Sequence, residues 1–225
     1  MMRGAAPVYP FKDFPHSSHR MLLDWAGRGP ATTLDVGAAT GFLGSALAAR
    51  GHTVVGAESD PARAAAAAPH YAAFYTADVA ALPVLHEGPF DLVVAGDILE
   101  HLADPAAALE RLVAQMAPGG RLLVSVPNVA FATVRLELLV GRFEYRPRGI
   151  MDATHLRFFT RSTLRRLLSG AGLAVVRLAG VPPPLPLLGP RFSHGPGRLV
   201  YEAAWGAARV WPTLFAFQYV AEARR

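Results

Sequence analysis

The stretch Leu34-Asp35-Val36-Gly37-Ala38-Ala39-Thr40-Gly41-Phe42-Leu43-Gly44 constrains this chain most, because an apolar run breaks there into a glycine-rich turn that opens a helix. Three glycines spaced Gly-x3-Gly-x2-Gly let the backbone come close to a ligand, and the N–H groups that open the following helix point into the crevice. Such a turn is a cofactor cradle. Asp35 stands at the strand end just before the first glycine, where its carboxylate repels an anionic pyrophosphate and welcomes a cationic amino-acid moiety.

The rest of the chain alternates in the way such a cradle requires. Thr33–Val36, Thr53–Ala57, Ala73–Thr76, Phe90–Ala95 and Arg121–Val126 are short apolar runs of the kind buried in a parallel sheet. Helices are expected at Gly41–Arg50, Pro61–Ala68 and Pro105–Met116, the last with Asp104 as N-cap and Pro105 in the first turn. Beyond them the spacing predicts helices over Val129–Val140, Ser162–Ala171 and Leu199–Val210, a sixth strand at Ala174–Leu178 and a final strand at Leu214–Ala221. The βαβ repetition predicts a doubly wound α/β sheet.

In such a sheet ligands meet the carboxyl ends of the strands. Glu58 closes the second strand 21 positions after Gly37, where a carboxylate hydrogen-bonds a ribose, with Ser59 directly behind it. Asp78 closes the third, placed to accept from an adenine amino group while Val79 packs beside the ring; a turn or N-cap aspartate is the plainer alternative. The fourth strand runs into Asp97-Ile98-Leu99-Glu100-His101, which belongs to the same edge. Together with Asp35, these residues favour S-adenosylmethionine (SAM) over a dinucleotide as the cofactor.

LDVGAATGFLG, VVGAE, YTAD, FDLVVAGDILEHLADP and APGGRLLVSVPN resemble the successive motifs of class I SAM-dependent methyltransferases, and DATHLRFFTRSTLRRLLSGAGL is similar to a segment of the type-11 and type-23 groups, which include relatives of ubiquinone-pathway O-methyltransferases. The resemblance implies a Rossmann-like seven-stranded sheet ordered 3-2-1-4-5-7-6, with the last strand antiparallel and helices on both faces. It implies that Asp35, Gly37, Ala38 and Gly41 border the methionine end of SAM, Glu58 and Ser59 the ribose, Asp78 and Val79 the adenine, and Asp97 the sulfonium. Many relatives carry Gly-Cys-Gly where this chain has Gly37-Ala38-Ala39. Methyl transfer needs alignment and exclusion of water, plus a base when the acceptor carries a proton; His155 leads as that base and His101 follows. Each has the alternative of fastening its loop by a hydrogen bond. Glu100, Asn128 and Arg157 are expected on the acceptor side. The Asp97-x2-Glu100-His101 grouping resembles one that binds a divalent cation in some relatives of the ubiquinone-pathway enzymes, but no other residue completes a ligand set, so no metal is expected and a divalent cation stays open as the alternative.

Other classes fail on residues. A short-chain dehydrogenase needs a Tyr-x3-Lys pair, and the only lysine is Lys12, upstream of the turn. A P-loop needs Gly-Lys-Ser/Thr, and none occurs. The absence of cysteine excludes disulfides, thiolate metal sites and cysteine nucleophiles. A non-catalytic SAM-binding regulator stays open as the alternative; an RNA methyltransferase is disfavoured because no RNA-binding module is present.

With 225 residues, 52% hydrophobic, the chain is expected to form one domain: an N-terminal helical cover over 1–30, a SAM-binding core over 31–128, an acceptor-side insertion over 129–172, and C-terminal strands and helix over 173–225. Charge is uneven, with fourteen Arg against five acidic residues from Arg135 onward and eight basic against twelve acidic before it. The basic C-terminal half suggests a peripheral membrane contact through Leu199–Trp211 and the Val181–Leu188 run, beside a small-molecule acceptor as the main partner. The start of the chain reads as neither signal peptide nor membrane span, so a cytoplasmic location is the expectation; the sequence gives no oligomeric state.

Overall fold

The computed structural model describes residues 11–225, so the first ten residues of the expected N-terminal cover lie outside the description. Strands β1 (Thr32–Val36), β2 (Thr53–Glu58), β3 (Ala73–Thr76), β4 (Phe90–Gly96), β5 (Met116–Pro127), β6 (Ala174–Val181) and β7 (Gln218–Arg224) form one sheet in the order β3-β2-β1-β4-β5-β7-β6. The first five run parallel, and β7 lies antiparallel to both β5 and β6. This is the fold the sequence predicts.

Helices α1 (Ser18–Ala26), α2 (Phe42–Ala48), α3 (Pro61–Ala67), α4 (Pro105–Ala114), α5 (Ala132–Leu139), α6 (Arg161–Gly170) and α7 (Gly195–Val210) surround the sheet. Strand alternation decides what each face receives. Leu34 and Val36 of β1 enter the larger core with Leu109 and Leu112 of α4 and Leu164 and Leu168 of α6. The opposite face gathers Leu22 and Leu23 of α1, Leu47 of α2, and Val54, Val94 and Leu123 of the sheet. Asp35 falls between Leu34 and Val36, and alternation turns it to this second face. Burial on both faces is why the strands read as unbroken apolar runs.

Local chemistry sets the ends of the elements. The Asp104 carboxylate accepts from the N–H groups of Ala106 and Ala107, both at 3.1 Å, which caps α4 as expected. Several boundaries differ from expectation: β5 opens five residues early at Met116, β6 runs on to Val181, and α7 opens four residues early at Gly195. Helix α5 starts at Ala132 because Val129 donates its N–H to Phe159 and Asn128 Oδ1 takes the N–H of Ala130, so residues 128–130 are committed to a bridge. The last strand starts at Gln218, four residues late, because Pro212 opens a helical turn that runs to Phe215.

The third glycine of the turn serves packing. A Cβ on Gly44 would lie 2.2 Å from the ring and hydroxyl of Tyr71, which follows the 3₁₀ turn Ala68–His70 and seats itself against α2. We expect Gly44→Ala to destabilise the fold by about 1–3 kcal/mol, because overpacking has no soft neighbour to move here; urea unfolding measures it, and an unchanged midpoint contradicts the packing role.

Candidate functional site

A cavity of about 660 Å³ opens at the carboxyl ends of β1 and β4, the point where strand order reverses. One wall is the glycine turn with Asp35, Gly37 and Ala38; the opposite wall is Gly96, Asp97, Glu100, His101 and His155. Pro184, Leu185, Leu187, Leu188 and Phe217 make the outer part apolar.

Backbone geometry builds the turn. Gly41, the N-cap of α2, has φ +83°, a left-handed conformation that glycine adopts without cost. Ala39 also lies at φ +49°, which costs an alanine about 1 kcal/mol. The conformation is held from below: the Ala39 N–H donates to Glu58 Oε2 at 2.9 Å, and the Asp60 N–H donates to Glu58 Oε1 at 2.9 Å. Glu58 thereby joins the turn to the end of β2. Its carboxylate keeps further lone pairs for a ligand hydroxyl.

Asp97, itself at φ +52°, accepts three side-chain hydrogen bonds. Its Oδ1 accepts from Ser125 Oγ at 2.5 Å and Gln218 Nε2 at 2.9 Å, and its Oδ2 from Lys12 Nζ at 3.0 Å. Burial alone would raise this carboxyl, but the Lys12 ammonium, His19 and the Ser125 hydroxyl outweigh it and hold the group well below the usual carboxylate range. Lys12 also donates to Ser18 Oγ and Gln218 Oε1, both at 3.3 Å. Burial and the adjacent Lys12 in turn lower His19 to about 4, which keeps its ring neutral.

Asp35 has the opposite environment. It is 2% exposed, its Oδ2 accepts from Tyr71 Oη at 2.7 Å, and burial raises its carboxyl to about 7 against the pull of that hydroxyl. Glu100 is raised well above the carboxyl range by burial and by Asp97. Its Oε2 is buried without a hydrogen-bond partner.

Glu100, His101 and His155 offer donor atoms within 4.8 Å of one another. His155 Nδ1 lies 2.9 Å from the Ile150 carbonyl, which can only accept, so Nδ1 carries the proton and Nε2 keeps its lone pair. His101 Nδ1 approaches the Thr154 carbonyl at 3.3 Å, which assigns it the same tautomer. The rings meet edge to face, with centroids 4.9 Å apart. Burial, reinforced by His101, lowers the His155 pKa and keeps the ring neutral. The loop carrying His155 is fastened by the N–H groups of Leu156 and Arg157 donating to the Glu100 carbonyl at 2.8 and 3.0 Å. The sequence groups Asp97, Glu100 and His101; the fold brings His155, 54 positions after His101, beside Glu100 and His101.

The remaining expected site residues fall elsewhere. Glu58, Ser59, Asp78 and Val79 lie along the ends of β2 and β3, beside the cavity and outside its lining. Asp78 caps a short turn through the Ala80 N–H at 2.8 Å, and Val79 is in the core. Asn128 is fully buried, its amide donating to the Ala216 carbonyl at 2.7 Å. Arg157 spends Nε and Nη2 on the Ala103 carbonyl. Lys12, His19, Tyr71, Ser125 and Gln218 were not legible as site residues. The only signal for any of them was that Lys12 is the sole lysine of an arginine-rich chain.

The fit to SAM rests on the donor set. Three carboxylates, Asp35, Glu58 and Asp97, end β1, β2 and β4 around a glycine turn, and that suits a ligand with a sulfonium and an ammonium where it would repel a pyrophosphate.

Comparison with known proteins agrees. Residues 12–178 match the family profile Methyltransf_23, described as a methyltransferase domain. A protein of Azoarcus sp. named ubiquinone biosynthesis O-methyltransferase is 30% identical over 190 residues, covering 78% of this chain and 79% of that protein. One of the same name from Aromatoleum aromaticum is 28% identical over 178 residues, covering 74% and 75%. Among solved structures, magnesium protoporphyrin IX methyltransferase from Synechocystis with bound S-adenosylhomocysteine (SAH) superposes with TM-score 0.64 at 17% identity, covering 93% of this chain and 83% of that one. The [4+2]-cyclase SpnF gives 0.61 at 19% identity, covering 92% and 80%. The chain is an enzyme that uses SAM, and it belongs to the class I SAM-dependent methyltransferases.

Proposed function

We propose that this methyltransferase methylates a hydroxyl on a small or lipid- or sugar-linked acceptor that enters between Leu185–Leu188 and the His101–His155 wall. Asp35, Gly37, Ala38 and Gly41 hold the methionine end of SAM, Glu58 and Ser59 its ribose, Asp78 and Val79 its adenine, and Asp97 borders the sulfonium. The bound cofactor supplies an activated methyl on a sulfonium that leaves as a neutral thioether. The chain's own work is to seat the acceptor, exclude water and take the hydroxyl proton.

The observation that carries this reading is the His155 tautomer: Nδ1–H is committed to Ile150, so Nε2 is an unprotonated base on the cavity wall. The names of the Azoarcus and Aromatoleum relatives favour oxygen as the acceptor atom. A second reading follows from the Glu100–His101–His155 group, which would hold a divalent ion that polarises the acceptor oxygen, with Glu100 giving up its proton to bind.

Formation of SAH over a panel of phenolic and aliphatic hydroxyl acceptors tests both readings. His155→Gln is expected to cut turnover by about 10²-fold or more with SAM affinity nearly intact; equal loss of both makes His155 structural. Because burial lowers the His155 pKa, the base is in its working form at neutral pH, and turnover of the wild type at saturating SAM falls through this group only as pH drops below about 6.5. Turnover that survives chelator treatment supports the metal-free base; loss restored by Mg²⁺ supports the ion.

We further propose that the acceptor side meets a lipid surface. Leu187 and Leu188 at the cavity mouth, and Leu199, Val200, Val210 and Trp211 along α7, are exposed beside Arg198 and Arg209. Among the described residues no helix is long and apolar enough to cross a membrane. Sedimentation with phosphatidylglycerol vesicles is expected to carry the protein down at low salt and to release it at 0.5 M NaCl; absence from the pellet at low salt contradicts the contact.

A further inference from the structure

We infer that Tyr71 is a positioning residue for cofactor binding: its hydroxyl donates to Asp35 Oδ2 and fixes that carboxylate as an oriented acceptor at the cavity wall. The inference rests on the proposed role of Asp35 toward the methionine end of SAM.

The geometry is built around this bond. Tyr71 comes from the turn after α3, 36 positions from Asp35, and reaches it at 2.7 Å. Its ring lies where a side chain on Gly44 would stand, and it crowds the same position on Gly56 together with Phe74 and on Gly41 together with Ala67. A Cβ on Gly44 would meet it at 2.2 Å, one on Gly56 at 2.8 Å and one on Gly41 at 3.2 Å. Phe74 packs edge-on against the ring with centroids 5.0 Å apart, and the ring completes the apolar cluster on the α1 side of the sheet. Gly44 of the cradle therefore makes room for Tyr71.

The surroundings of Asp35 make that donor matter. Burial raises its carboxyl to about 7, the Tyr71 hydroxyl opposes the rise, Glu58 at the end of β2 adds to it, and the Gly44 N–H opposes it. The neighbouring strand β4 faces Asp35 with Val94, and α2 has no ionisable side chain. Lys12, His19 and Arg63 line the same cavity from the N-terminal segment, α1 and α3, with His19 neutral. Tyr71 is thus the side-chain hydrogen-bond donor of an acid whose charge is otherwise disfavoured, and a cationic ligand needs that acid ionised.

Calorimetric titration of the full chain with SAM between pH 6 and 9 tests the role. Tyr71→Phe keeps the ring and removes the donor. Loss of one hydrogen bond to the charged form raises the Asp35 midpoint by about one unit. The variant is expected to bind SAM about fivefold more weakly than wild type at pH 7 and within about twofold of it at pH 9. The ligand's own titration is common to both proteins and cancels in the ratio. In an Asp35→Asn background, Tyr71→Phe is expected to have no further effect. A loss that is the same at every pH, or no loss at all, overturns the inference. If Asp35→Asn alone leaves SAM affinity unchanged, the reading of Asp35 as a cofactor contact has failed; if Asp35→Asn weakens binding and Tyr71→Phe does not move the pH midpoint, only the role of Tyr71 has failed.

Discussion

The bonds to the Asp97 carboxylate hold this site together. Lys12 reaches it across 85 positions, Ser125 across 28 and Gln218 across 121, so the N-terminal segment, β5 and β7 converge on one acid at the end of β4. Each partner has a structural reason to be there. Ser125 is delivered by the parallel pairing of Gly96 with it, and Gln218 by the antiparallel return of β7 beside β5. A half-buried carboxylate without such partners would lose solvation with nothing to offset it and be drawn toward taking up a proton. Satisfied in this way, it fixes one wall of the cavity and ties the N-terminal segment to it.

The acids of the site are differentiated by their surroundings. Asp97 is held ionised by a lysine, Asp35 is raised by burial against the pull of the Tyr71 hydroxyl, and Glu100 is raised by burial and by Asp97 and has an unpartnered oxygen. Groups pushed in opposite directions within one cavity have divided work. In the proposed reading Asp97 organises the site, Asp35 answers to the charge of the ligand, and Glu100 stands with His101 and His155 on the side that receives the acceptor proton.

Most of the fold was legible in the sequence because a sheet covered on both faces writes its strands as continuous apolar runs, and glycine, Asp104 and Pro105 punctuate them locally. The strand order came from resemblance to a family, since periodicity carries no information about which strands are neighbours. The turn residues and the carboxylates at strand ends were legible for the same local reason. Lys12, Tyr71 and Gln218 were not. A lone lysine near one end of a chain, a tyrosine after an alanine-rich helix and a glutamine opening the last strand look ordinary until the topology brings them to one edge. Asn128 and Arg157 show the converse, for both are polar residues in the expected region whose side chains the fold spends on carbonyls of its own loops.

The likeness to a [4+2]-cyclase shows that this architecture also serves chemistry other than methyl transfer, so the account must stand on the site. Its central claim is that a carboxylate-lined glycine turn selects a sulfonium cofactor. Titration calorimetry of the purified chain with SAM, SAH and NAD⁺ tests it most directly. The account predicts one-to-one binding of SAM and SAH and no detectable binding of NAD⁺. Binding of NAD⁺ as tight as that of SAM, or no heat with either SAM or SAH, would contradict it.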